Sequence, residues 1–361
     1  MSEADAQRAC DFGSFEIPLG NMRSRTRFAT AVLITAGLWI VGAAASHSQV
    51  RGTQTSAATT GAPDQSGPTF TINERDLHAP PTVVAYGDMR FTDPANVTAT
   101  NPVARQALIQ RILEEKPDAI LLNGDVPWHG GDPNDYEVYR AETQVWRDAN
   151  LRILPTLGNH EFAGCGVPQC LANWWAAFPK LKGRRWYSVR LGTKIYTIAL
   201  DSDDSLLPGS DQLLWLKNQI ASLPGEVEFV LISMHHPPVA DIQTRFIVDH
   251  NPRPNEIALA QFLQTAAASS RARFIVSAGH VHNYERFLRD DVVYLISGGG
   301  GAEPYQIDRT PQDLYQDSGF PNYHYVKFVL DGHILRATMY RLADAGAGTW
   351  ESKDEFEVHA K

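Results

Sequence analysis

The sequence predicts an α/β fold of two packed sheets with helices on the outside, and three observations carry that expectation. From about Thr69 onward, apolar runs of four to eight residues alternate with longer segments of helical period. After Val292 the pattern changes to strands without long helices between them. Each of five buried runs ends in a residue able to bind a ligand, at the place where α/β sheets gather their ligands.

In chain order, Thr82–Tyr86, Ala119–Leu122, Ile153–Leu157, Phe229–Met234 and Phe274–Val276 read as buried strands. Between them, Val103–Glu115 puts Ala107, Leu108, Ile112 and Leu113 on one helical stripe, and Asp211–Leu223 does the same with Leu214, Leu216, Ile220 and Leu223. Glu256–Ala268 is a third helix, and the later strands are Val292–Ile296, Tyr323–Leu330, Ile334–Tyr340 and Phe356–His359. No internal repeat and no interior linker rich in Pro, Gly and Ser interrupts the pattern, so residues 69–361 read as one catalytic domain.

The N-terminal 68 residues read differently. Arg23, Arg25 and Arg27 precede an apolar run, Ala29–Ala45, that ends in small residues, the composition of a cleavable signal peptide cut after Ala45. At about seventeen residues the run also reaches the lower limit for a membrane span, so residues 1–46 stay open between a signal peptide and an uncleaved membrane anchor. Either way the protein is expected to be exported, to a periplasmic or extracellular place. The acidic residues Glu3, Asp5, Asp11 and Glu16 do not suit such a signal, which points to translation starting at Met22. Residues 47–68 hold almost no large apolar side chain and read as a flexible linker.

Cleavage removes Cys10 and leaves Cys165 and Cys170, an even pair that in an exported protein suggests a disulfide. Zinc would need four ligands, and no second cysteine pair exists. The net charge of −9, with no stretch rich in Lys and Arg beyond the short Lys180–Arg185, argues against a nucleic-acid-binding surface.

The chemistry lies at the ends of the buried runs, in Gly87-Asp88, Gly124-Asp125, Gly158-Asn159-His160-Glu161, His235-His236-Pro237-Pro238 and Gly279-His280-Val281-His282. Singly, each is as readily a turn or a core histidine. Five in order, each after an apolar strand, form a mixed O/N donor set suited to Zn, Fe or Mn. The His160-Glu161 pair does not open a zinc-protease helix, since Gly164 stands where the second histidine would be. Gly298–Gly301 lacks the Lys-Ser/Thr of a phosphate loop and reads as a close-packed loop beside the site.

These blocks, with the last continuing as Asn283-Tyr284-Glu285-Arg286, resemble the five blocks of the calcineurin-like metallophosphoesterases, and the last is similar to that of the purple acid phosphatases. The resemblance spans about Val83–Gly301. It implies a four-layer α/β/β/α sandwich and two metal ions sharing a hydroxide that attacks a small phosphorylated substrate. By position, Asp125 bridges; Asn159, His235 and His280 complete one metal; Asp88 and His282 belong to the other. His160 would face the substrate and Glu161 would orient a neighbouring histidine. His236 would face the substrate or pack on Pro237 or Pro238.

Two departures weaken the site of Asp88, Asp125 and His282. Arg90 stands where many members have a ligating histidine, and Trp128 where the purple acid phosphatases have a ligating tyrosine; neither side chain can ligate. Arg90 would hold a phosphate oxygen pair or a neighbouring carboxylate. The leading expectation is an acid-phosphatase-like phosphomonoesterase. The alternatives are a phosphodiesterase on the same site and a non-catalytic relative that keeps one metal.

Overall fold

The computed structural model describes residues 66–241 and 250–361. The expected leader and linker lie outside these residues, apart from the last few of the linker. Among the described residues no helix is long and apolar enough to cross a membrane.

Two sheets form the framework. The six-stranded sheet has the parallel strands β2 (Thr82–Tyr86), β3 (Ala119–Leu122) and β4 (Ile153–Pro155) on one side, and the antiparallel strands β11 (His324–Asp331), β12 (Ile334–Asp344) and β13 (Thr349–His359) on the other. The seven-stranded sheet runs β1 (Phe70–Ile72), β5 (Tyr187–Leu191), β6 (Ile195–Ala199), β7 (Phe229–Ser233), β8 (Arg273–Ala278), β10 (Val292–Ser297), β9 (Tyr284–Arg289).

Alternation along β7 shows how the layers are held. Phe229 and Leu231 join a core with Val83, Ile120 and Leu335 of the other sheet. Val230 and Ile232 point the other way, into a core with Leu213 and Leu216 of α5 (Asp211–Ala221) and Leu259 and Leu263 of α6 (Pro254–Ser269). A strand buried on both faces has no polar side, which is why it reads as an unbroken apolar run. On the outer side of the six-stranded sheet, α1 (Pro102–Glu115) buries Ala104, Leu108, Ile109 and Ile112. Its start is set by Asn101, whose side chain accepts from the backbone N–H of Val103 and Ala104, and its end by Lys116 in the left-handed conformation.

The observed strands and helices overlap every one expected. The differences lie at the ends: the strand expected over Ile153–Leu157 stops at Pro155, and β13 starts at Thr349. The sequence pattern does not reveal β1, β5, β6 and β9, or the helices α2 (Pro133–Glu142), α3 (Gln144–Asp148) and α4 (Val167–Ala177). Cys165 and Cys170, 5.7 Å apart at Cα, form the expected disulfide at the start of α4.

Candidate metal centre

All five blocks sit beyond the carboxyl ends of their strands: Asp88 after β2, Asp125 after β3, Gly158–Glu161 after β4, His235 after β7 and His280 after β8. Asn123 joins the two sheets there. Its side-chain amide donates to Ser277 Oγ at 2.9 Å and its carbonyl oxygen accepts from Ser233 Oγ at 2.9 Å. These buried strand serines therefore serve as spacers.

The turns carrying the ligands are strained. Asp88, Asp125 and His280 have φ of 64°, 54° and 70°, a region that costs a non-glycine residue on the order of 1 kcal/mol or more. Buried Glu161 holds the Asp125 turn, accepting from the backbone N–H of Asp125 (3.0 Å), Val126 (2.9 Å) and Gly158 (2.7 Å). Its expected role, orienting a histidine, is replaced by this one, because both of its oxygens are spent on backbone donors. Two glycines are dictated by space: a Cβ on Gly158 would lie 2.5 Å from Asp125 Oδ1, and one on Gly279 2.6 Å from Asp88 Oδ2. A Cβ on Gly298 would fall 2.8 Å from Asp88 Oδ2, in keeping with a close-packed loop beside the site.

One donor set gathers around His235 Nε2: Asn159 Oδ1 at 3.0 Å, Asp125 Oδ1 at 3.2 Å and His280 Nδ1 at 3.3 Å. Ligands about 2.0–2.2 Å from a common ion lie about 3 to 3.5 Å from one another, so this spacing fits a metal. The Nδ1 of His235 sits 2.9 Å from the Asn123 backbone carbonyl, which accepts a hydrogen bond from Nδ1–H and so leaves Nε2 able to ligate. His236 comes near the same histidines, but its Nδ1 is bonded to Ser202 Oγ at 2.8 Å. Asn159 and Asp125, 3.0 and 3.2 Å from His235 Nε2, complete the set.

The second set is Asp88, Asp125 and His282. His282 Nδ1 lies 2.7 Å from the Glu303 carbonyl, and its Nε2 is 3.4 Å from Asp88 Oδ1, buried and without a hydrogen-bond partner. A buried imidazole nitrogen left this way fits a metal ion as its partner. The electrostatics agree. Burial pushes Asp88 up to about 7 despite the opposing charge of His235. Burial also works to raise Asp125, but His235, His160 and Arg90 overcome it and hold the carboxyl well below its usual range. Burial, with Arg90 adding to it, lowers His282 to about 3, which keeps the imidazole neutral, the form that ligates.

The two departures touch. The segments after β2 and β3 run side by side, with Arg90 N–H donating to the Asp125 carbonyl (2.9 Å), Phe91 N–H to that of Val126 (2.7 Å) and Trp128 N–H to that of Phe91 (2.9 Å). This pairing lays the Arg90 guanidinium over the Trp128 indole, 5.2 Å from its centroid, with Nη2 3.5 Å from Asp125 Oδ2 and Nε buried without a partner. Trp128 also holds His160: its carbonyl lies 2.6 Å from His160 Nδ1 and the rings are 4.8 Å apart. His160 Nε2 is 3.8 Å from Asp125 Oδ2, and burial lowers its pKa to about 4 against the pull of Asp125.

His236 neither packs on the prolines alone nor stands free, since it is bonded to Ser202 and lies 4.3 Å from the His280 ring. Sequence reasoning missed three residues at the site. His250 sits 4.7 Å from His280, Tyr305 stacks 4.2 Å from His282, and Asp203, which burial raises to about 6, lies 3.9 Å from His236 Nδ1. All three are on irregular segments. The acidic Asp201–Asp204 run just after β6 is a signal that could have found Asp203.

A family model, calcineurin-like phosphoesterase, matches residues 76–284. The chain belongs to this family. It is 25% identical over 139 residues to a probable purple acid phosphatase of Arabidopsis thaliana, covering 35% of this chain and 31% of the relative. Among solved structures it is similar to the purple acid phosphatase PPD1 of yellow lupin, Lupinus luteus (TM-score 0.63, 17% identity, 79% of this chain and 54% of that one). It is also similar to a dimetal phosphatase of Danio rerio (TM-score 0.51, 12% identity, 78% and 100%) and to the Plasmodium protein GAP50, an anchor in the inner membrane complex (TM-score 0.52, 13% identity, 78% and 89%). The chain spans under a third of the Arabidopsis protein and about half of the lupin one. The two donor sets have the residue types and spacing to hold a pair of metal ions.

Proposed function

We propose that the protein hydrolyses phosphate monoesters in the manner of an acid phosphatase, at a centre held by Asp88, Asp125, Asn159, His235, His280 and His282. The observation that carries this reading is the 3.0–3.3 Å spacing of acceptor atoms around His235 Nε2, beside a second set sharing Asp125. Lewis-acid activation of water and of the phosphoryl group is the chemistry the ions supply when bound.

The chain's own residues do the rest. Arg90 holds an unspent donor at Nε, suited to a phosphoryl oxygen. His160, steadied at Nδ1 by the Trp128 carbonyl, presents Nε2. A phosphate dianion beside it favours its protonated form, and Nε2–H then donates to the leaving oxygen or to the phosphoryl group. His236, fixed by Ser202 and 4.3 Å from the His280 ring, would face the substrate.

Turnover of p-nitrophenyl phosphate and of bis(p-nitrophenyl) phosphate, with Mn, Zn or Fe added, tests the reading. Faster monoester than diester hydrolysis is expected, with His160→Ala lowering kcat about a hundredfold or more. A diester preference would replace the proposal with a phosphodiesterase. The contact of Arg90 with Asp125 favours one second reading, a relative that keeps a single metal without turnover. Metal retained with no hydrolysis of either ester would establish that reading.

A further inference from the structure

A second group of carboxylates lies apart from the donor sets above. Asp241, Glu285 of β9 and Asp313 each offer an oxygen, all within 4.8 Å of one another, and all three side chains are buried. Most of their oxygens are accounted for. Asp241 accepts from the Thr310 hydroxyl (2.6 Å) and backbone N–H (2.8 Å), and Glu285 Oε2 from the Asp241 N–H (2.6 Å). Asp313 Oδ1 accepts from the N–H of Arg286 (3.0 Å) and Tyr315 (2.9 Å), and its Oδ2 from Arg309 (2.5 Å). Glu285 Oε1 has no partner although its side chain is fully buried.

The charges do not balance either. Three carboxylates meet, and among the described residues their ion pairs amount to one, Arg309 with Asp313. Burial accordingly pushes both Glu285 and Asp313 up. A buried acidic group of this kind is neutralised by a proton or by a cation, and the two are distinguishable.

We propose that Asp241, Glu285 and Asp313 bind a calcium ion, with Glu285 Oε1 as its free ligand atom. A donor set of oxygen alone suits a hard cation rather than zinc or iron. Among hard cations, magnesium dehydrates reluctantly and is seldom held by protein oxygens alone, so a buried all-protein oxygen set favours calcium. Arg309 also lines a cavity of about 230 Å³, which brings solvent within one side chain of the cluster.

The ion ties three separate stretches together: the chain after the His235-His236 block, β9, and the loop that carries Asp313. That loop reaches the catalytic centre, because the preceding Glu303 carbonyl and Tyr305 ring hold His282. Calcium therefore acts as a clasp behind the second donor set.

The test is a calcium titration of the full chain, read by calorimetry and by thermal melting, after EGTA treatment at neutral pH. Wild type and Asp125→Asn should each bind one calcium and melt higher with it; Glu285→Gln should lose both effects. No calcium bound by wild type would overturn the proposal in favour of a proton on Glu285. Calcium lost from Asp125→Asn, or kept by Glu285→Gln, would overturn it by placing the ion in the catalytic centre or elsewhere. If Glu285→Gln fails to fold, the wild type and Asp125→Asn titrations still decide.

Discussion

Replacing Arg90 by histidine should tighten the weaker of the two metal sites. The guanidinium lies 3.5 Å from Asp125 Oδ2, the oxygen other than the one beside His235, and is largely buried. At an effective dielectric of about 20, a charge pair at that distance attracts by about 5 kcal/mol before desolvation is subtracted. A metal ion at Asp88, Asp125 and His282 must compete with that attraction and has three protein ligands, against four at the other set. The unmodified enzyme should therefore keep close to one tightly held metal. Arg90→His removes the competitor and supplies an imidazole, and should raise affinity at the weaker site about tenfold to a hundredfold, or about 1.4 to 2.8 kcal/mol. Arg90→Ala separates the effects, because it removes the charge without adding a ligand. Metal analysis after dialysis, with chelator-competition titrations of all three proteins, reads both site occupancy and affinity. Two equally tight metals in the unmodified protein would show that another group completes the site and that Arg90 does not weaken it.

Three further outcomes are expected. Asp125→Asn should lower kcat by more than tenfold while circular dichroism stays native, since both donor sets share this carboxylate; a variant keeping more than about a tenth of wild-type turnover would remove its bridging role. Protein recovered from its native compartment should begin near Ser46 and show no free thiol from Cys165 and Cys170, as N-terminal sequencing and a thiol count would establish. His324, buried with Nδ1 2.9 Å from the Asn322 carbonyl, is lowered by burial to about 4, so the neutral ring favours the fold. Its contribution is fully present above the unfolded value near 6.5 and is lost as pH falls from there to about 4, on the order of 3 kcal/mol in all; an NMR titration of the ring giving a value near 6.5 would refute this.

The sequence disclosed β2, β3 and β7 because each is buried along its whole length and is followed by glycine or a short polar block. β5 and β6 are buried as well, yet their sequence hides them. Arg190 and Thr197 interrupt their apolar pattern, and the hairpin is held by pairing, from Tyr187 with Ala199 to Leu191 with Ile195. β9 was hidden for another reason: its first residues, Tyr284-Glu285-Arg286, were absorbed into the motif. His250 and Tyr305 stand on irregular stretches without period, and only tertiary packing brings them to His280 and His282. The role of Glu161 differs from the expected one because its nearest sequence neighbour is a histidine, whereas its donors are backbone amides from the Asp125 turn and Gly158.

Arg90 and Trp128 were legible as two separate losses of a ligand, yet they form one unit. The parallel pairing of the two segments after β2 and β3 places residue 90 beside residue 128 whatever their identities, so a change at one is felt at the other. A histidine and a tyrosine at these positions would both point donors at a metal. An arginine and a tryptophan instead satisfy each other by stacking, which places a fixed positive charge beside Asp125 and leaves the indole tilted by 31° against the His160 ring. Under the proposed function the same pair would weaken a metal site, supply a donor for phosphate and fix the histidine that faces the substrate. Its effect on catalysis cannot be apportioned by changing either residue alone, because the indole that carries Arg90 belongs to the residue whose carbonyl holds His160.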